Sequence, residues 1–146
     1  MYIAIVLDLY SRRIVGWHLE KCMKTDLVSK ALIKAYNLSQ PPKGLVFHSD
    51  RGSQHTSKRY RLLLSSYGMR ASMGDVGASW DNAVVERFIG SLKHDWVFKI
   101  PQPTREHMKT DVICYMRYYN LERLHTANAD FFFLNIDADF NPYFLC

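Results

Sequence analysis

Apolar positions along this chain change their period from block to block, and each change marks an element. Tyr2 to Leu9 is β-rich and almost wholly apolar, which predicts a strand covered on both faces. Ser11-Arg12-Arg13 breaks it, and Ile14 to Leu19 reads as the return strand of a hairpin. Val28, Ala31, Leu32 and Ala35 then recur at helical spacing, with Thr25 available as a cap and Pro41-Pro42 as a stop. Leu45 to Phe47 is a short apolar run, a buried strand that opens into a Gly/Ser-rich polar loop. Beyond it Ser57 is placed to cap a helix whose Tyr60, Leu63, Leu64 and Tyr67 share a face, with Gly68 ending it. Met69 to Met73 reads as one more strand, and Gly74 to Ser79 has the glycines of a mobile loop. From about Asp81 to Trp96 the helical period returns, with Val85, Phe88, Leu92 and Trp96 facing a core. After the break at Pro101 and Pro103, Thr104 can cap a last helix that turns Met108, Val112, Tyr115, Met116 and Tyr119 inward. The order ββαβαβαα predicts an α/β domain.

Composition narrows the class. A chain of 146 residues with 48% hydrophobic and 23% charged residues is sized for one domain with a real core. The net charge of +5 favours a polyanionic partner. Cys22, Cys114 and Cys146 lie far apart and form no CxxC pair, which argues against a structural zinc site and fits a reducing compartment. No stretch is long and apolar enough to span a membrane, and Met1-Tyr2-Ile3 lacks the basic start of a signal peptide. Cytoplasm is the default expectation.

Two acids stand out from the others. Asp50 follows the buried strand directly, where a side chain is held rigidly yet meets solvent. Glu86 lies on the Asp81–Trp96 helix, on a stripe with Asn82 and Lys93, and thirty-five residues separate it from Asp50. Such carboxylates beside Lys and Arg suit a magnesium site that handles phosphates. A lone surface acid is more often merely solvated, and the setting of these two makes both readings about equal. His48 and His55 flank Asp50 and offer a rival His/Asp transition-metal site, which lacks the third close ligand that zinc needs. Arg12, Arg13, Lys58, Arg59 and Arg61 could track a phosphate backbone or simply be solvated. Tyr115, Tyr118 and Tyr119 fit helix packing better than base stacking. Arg123 and His125, past the last helix, could touch DNA or close the helix end.

Four segments carry a family resemblance. LDLYSRRIVGW, GLVFHSDRGSQHTS, SWDNAVVERFIGSLK and YYNLERLHTA resemble, in order and spacing, the catalytic core of bacterial insertion-sequence transposases related to retroviral integrases. The resemblance covers about Tyr2 to Ala127, taken as the core region 1–127. It implies a ribonuclease-H-like fold, a mixed sheet flanked by helices, and an Asp-Asp-Glu triad holding two divalent ions, Mg²⁺ or Mn²⁺. Asp50 then matches the second carboxylate and Glu86 the third. Lys93 matches a basic residue that lies against transposon-end DNA, and Asn82, Arg51, Arg87, Arg123 and His125 join it as candidate DNA contacts. The implied reaction is two-metal phosphoryl transfer that cuts and joins transposon-end DNA. The implied partners are transposon ends and target DNA, a second copy of the chain or an intact transposase, and no membrane. The implied setting is the bacterial cytoplasm, at the nucleoid.

Two departures qualify these expectations. The first Asp of the family lies on a strand that would precede Met1, so the expected fold lacks that central strand. Asp8 matches the acid of the family's second strand, which is not a metal ligand, and is not assigned. The segment 128–146, NADFFFLNIDADFNPYFLC, follows neither helical nor strand period and is expected to be a poorly ordered tail. The function is therefore either a strand-transfer enzyme, here an inactive remnant, or a catalytically dead DNA-binding or interaction fragment that interferes with an intact transposase.

Overall fold

The structure, a computed structural model, describes residues 1–73, 83–99, 101, 104–122 and 143–145. Strand β1 (Tyr2–Asp8) and strand β2 (Ile14–Glu20) form the expected antiparallel hairpin. Its turn is built around Asp8. The Asp8 carboxylate accepts from the backbone N–H of Tyr10 and of Ser11 (both 3.2 Å) and from the Ser11 hydroxyl. Arg12 takes a left-handed backbone there, with φ of 60°.

Because β1 is apolar at consecutive positions, its side chains feed two cores. Ala4 and Val6 enter one cluster, and Ile5 and Leu7 enter the other. The first cluster is closed by helix α1 (Thr25–Ser39), through Leu27, Val28, Ala31, Leu32 and Ala35, and by helix α3 (Lys58–Ser66), through Tyr60 and Leu64. Gly16 of β2 permits the approach of α1. A Cβ there would meet the Ala31 carbonyl and lie 2.7 Å from both Cβ and N of Ala35. The second cluster is closed by helix α4 (Ala83–Ser91) and helix α5 (Arg105–Leu121), whose Phe88, Val112, Tyr115, Met116 and Tyr119 are buried. The sheet is thus covered by helices on both faces.

Several helix ends follow local chemistry. Ser57 accepts from the Tyr60 N–H at 3.3 Å and Thr104 from the His107 N–H at 3.2 Å, as expected of N-caps. Gly68 ends α3 with φ of 68°. Thr25, expected as a cap, is instead the first residue of α1, and Lys24 occupies the cap position with no side-chain bond. Asp26 in the first turn supplies negative charge at that end.

Strand β3 (Val46–Ser49) pairs in parallel with strand β4 (Arg70–Met73). The short helix α2 (Ser53–Thr56) within the polar loop was not expected from the pattern. Nor was the end of the fourth helix. The α-helical backbone stops at Ser91, passes through a π-helical turn at Leu92–Trp96 and ends in a 3₁₀ turn at Val97–Lys99. Leu92 stays buried as the period requires, while Val85 and Trp96 are half-buried. The loop expected at Gly74 to Ser79 lies outside the described residues.

The sheet order is β2-β1-β5-β3-β4, where strand β5 is Tyr143–Leu145. Two pairs join β5 to β1 in antiparallel fashion, Leu7 with Leu145 and Asp8 with Phe144. Three more join it to β3 in parallel. The position where the sequence left a central strand wanting is therefore occupied by the last residues of the chain. Within the tail expected to lack an element, these three residues form a strand. Period alone could not show it, because three residues are too few to display one.

Candidate metal and DNA site

Asp50 stands immediately after β3, whose Phe47 and Ser49 are buried while Asp50 itself is exposed. Its carboxylate is oriented by two hydrogen bonds, both accepted at Oδ1. The Gly52 N–H donates at 2.8 Å, and Nδ1 of His55 lies at 2.7 Å. Gly52 can approach because it has no side chain, since a Cβ there would fall 2.8 Å from the same Oδ1. Partial burial pushes the Asp50 carboxyl pKa up. The Gly52 N–H, the His55 hydrogen bond and the charge of His55 when protonated outweigh it, so the net value lies below the ordinary one. Asp50 is consequently an anion at neutral pH.

His55 is buried on α2, its ring edge-on to Tyr60 with centroids 5.3 Å apart. Tyr60 packs in turn edge-on to Phe47 of β3 at 6.3 Å. The core beneath the strand thus braces the acid at its end through three rings. His48 does not join them. Its Nδ1 lies 3.2 Å from the Ser72 hydroxyl, directly across the β3–β4 pairing. The rival His/Asp reading therefore finds His55 hydrogen-bonded to Asp50 and His48 turned to β4. Among the described residues no group of three or more His, Cys, Asp or Glu is placed to hold a metal ion.

Glu86 is exposed in the first turn of α4, and Arg87 is exposed beside it. Phe88 and Leu92 anchor the helix in the second core, which leaves Glu86 on the outer side. Lys93 is exposed too, inside the π-helical turn. Arg51 is exposed next to Asp50. Asn82, Arg123 and His125 lie outside the described residues.

The remaining basic residues divide. Arg59 is held by Asp26 across α3 and α1 at 2.6 Å, whereas Lys58 and Arg61 are exposed on α3. Arg12 and Arg13 are half-buried in the hairpin turn. Tyr115 and Tyr119 are core residues, and Tyr118 stacks on Trp96 at 5.9 Å, so all three pack helices. Asp8 uses both carboxylate oxygens in its own turn. Cys22 and Cys114 are free thiols on the surface. No helix among the described residues is long and apolar enough to cross a membrane.

Comparisons with known proteins agree with this architecture. The integrase core domain family matches residues 1–79, and a second integrase core domain profile matches residues 67–129. The transposase for insertion sequence element IS904 of Lactococcus lactis is 35% identical over 128 residues, which are 87% of this chain and 51% of that protein. Transposase InsF for insertion sequence IS3A of Escherichia coli is 35% identical over 127 residues, 86% of this chain and 44% of that protein. The chain thus spans about half the length of these curated relatives. Among solved structures, the simian T-cell lymphotropic virus intasome aligns with a TM-score of 0.70 at 15% identity, over 84% of this chain and 43% of that one. The HTLV-2 integrase catalytic core domain in complex with magnesium aligns with a TM-score of 0.63 at 17% identity, over 84% and 77%. These two likenesses establish the retroviral-integrase, ribonuclease-H-like fold. With the matched motifs on β1, β3, α4 and α5, the chain belongs to the integrase core domain family.

Proposed function

We infer that the chain is the metal-binding part of a transposase core that cuts and joins transposon-end DNA by phosphoryl transfer. The observation that carries this reading is Asp50, an anionic carboxylate fixed at the C-terminal end of a core strand in an integrase core domain. Its donor set fits a hard divalent ion. The oxygen is charged and exposed, and the described neighbours that turn it use only Oδ1. Glu86 would supply the second carboxylate from α4, close enough to share the ion, and Mg²⁺ or Mn²⁺ is the expected species. When bound, such an ion supplies Lewis-acid polarisation of the phosphate and lowers the pKa of the attacking water or hydroxyl.

The chain's own residues do the rest. Asp50 and Glu86 contribute negative charge in a fixed place. Lys93, Arg87 and Arg51 neutralise DNA phosphates nearby, and Asn82, Arg123 and His125 are further candidate DNA contacts by the family motif. The setting that goes with this role is the bacterial cytoplasm, at the nucleoid.

The 146-residue chain by itself is expected not to turn over, because only two acids match the triad and Asp8 is committed to its turn. Purified chain should bind Mn²⁺ weakly, lose that binding in both Asp50→Asn and Glu86→Gln, and leave end DNA uncut. Metal-dependent cutting that Asp50→Asn abolishes would overturn the inactivity and bring Asp8 back into question. Full Mn²⁺ binding by both variants would overturn the site.

A second reading has its own observation. β1 is seven residues long, yet β5 pairs only with Leu7 and Asp8, so the rest of that edge has no strand beside it among the described residues. Such an edge invites pairing with another chain, either a second copy or an intact transposase that it would poison. Co-purification with an intact transposase, lost when charged residues are placed along β1, would favour it.

A further inference from the structure

We propose that His55 is a positioning residue that holds Asp50 so that a divalent cation is met by Oδ2 alone. The inference rests on the reading of Asp50 as a metal ligand and adds which atom binds and what sets it. Both hydrogen bonds to the carboxylate end on Oδ1, from the Gly52 N–H at 2.8 Å and from His55 Nδ1 at 2.7 Å. Two donors already directed at Oδ1 leave it a poor further ligand, whereas Oδ2 carries no hydrogen bond among the described residues.

The direction of the His55 bond follows from burial. Nδ1 has the Asp50 carboxylate within reach, while Nε2 is buried and has no partner among the described residues. A ring proton on Nε2 would be a buried donor with no acceptor, a costly arrangement. The proton of the neutral ring therefore sits on Nδ1 and is donated to Asp50. The ring is itself immobilised, since His55 is 8% exposed and lies edge-on to Tyr60. A carboxylate on an exposed loop would otherwise sample several rotamers, and this contact selects one. In metal sites an outer partner that orients a ligand typically changes affinity by about 10–100-fold.

The test uses the full chain with ¹⁵N-labelled histidine and backbone. The ring-nitrogen shifts of His55 report the tautomer, and Mn²⁺-induced broadening of the Gly52 amide signal reports cation at Asp50. The expected result has three parts. The Nδ1–H form is present and shifts in Asp50→Ala. His55→Phe, which keeps an aromatic ring but removes the donor, weakens broadening about 10-fold at unchanged melting temperature. His55→Asn, whose amide can donate from a similar place, restores most of it. An Nε2–H tautomer in the wild type overturns the inference, and so does His55→Phe that binds Mn²⁺ as the wild type does. If the Nδ1–H form is present but wild type shows no broadening at Gly52, the metal-site reading fails while the orientation of Asp50 stands. Should His55→Phe fold poorly, a His55→Asn chain that folds yet loses cation binding as fully as Asp50→Ala counts against the proposal.

Discussion

The side-chain amide of Asn120 satisfies both backbone groups of Ile14, 106 positions earlier. Ile14 N–H donates to Asn120 Oδ1 at 2.8 Å, and Asn120 Nδ2 donates to the Ile14 carbonyl at 2.9 Å. β2 is the outer strand of its sheet, so Asn120 stands where a further strand would otherwise bond. It also clamps α5 onto the hairpin. Asn120→Ala should strip two hydrogen bonds from a part-buried backbone position and cost about 1–3 kcal/mol. Chemical denaturation would check this, with Asn120→Asp expected to fall between, since it keeps only the acceptor.

Gly16 makes a second test of packing. A methyl group there meets backbone atoms of α1 at Ala31 and Ala35, and a backbone cannot swing aside as a long side chain does. Gly16→Ala should destabilise the chain by about 1–3 kcal/mol through overpacking. A melting temperature unchanged from wild type would show that α1 shifts freely.

Removal of residues 128–146 takes away β5 and parts β1 from β3 in the middle of the sheet. The shortened chain should melt at lower temperature and self-associate through the exposed edges, which light scattering and size-exclusion would register. A monomer of wild-type stability would show that β5 contributes little.

Lys93 lies exposed in the π-helical turn that follows α4, seven residues on from Glu86. Lys93→Ala should weaken binding to end DNA and reduce the salt dependence of log K by about 0.9, one phosphate contact. Equal binding across a salt series would remove Lys93 from the interface.

Acid stability should report on Asp50. Its carboxyl pKa is lowered in the folded chain, so the stabilisation is complete above the unfolded aspartate value of about 3.9. It is lost as pH falls through the folded value. Denaturation midpoints of wild type and Asp50→Asn should therefore differ at neutral pH and converge as pH falls below the ordinary aspartate range. Curves that keep a constant separation would place the effect elsewhere.

Local pattern determined much of this protein. The apolar run of β1, the helical spacing of Val28 to Ala35, the Ser57 and Thr104 caps and the Gly68 stop each depend on chemistry within one turn or one strand. The four motifs also sufficed to identify the integrase core, with Asp50 at the end of its strand. Contacts that join distant positions depended on the tertiary structure. His55 looked like a rival ligand until the fold laid it against Asp50, because five positions in a loop fix no direction. Asn120 gave no signal within its motif, since its partner is the backbone of a strand far away in sequence. The tail has no period, yet its last residues enter the sheet between β1 and β3, where pairing is decided by the open backbone groups of those strands rather than by side-chain pattern.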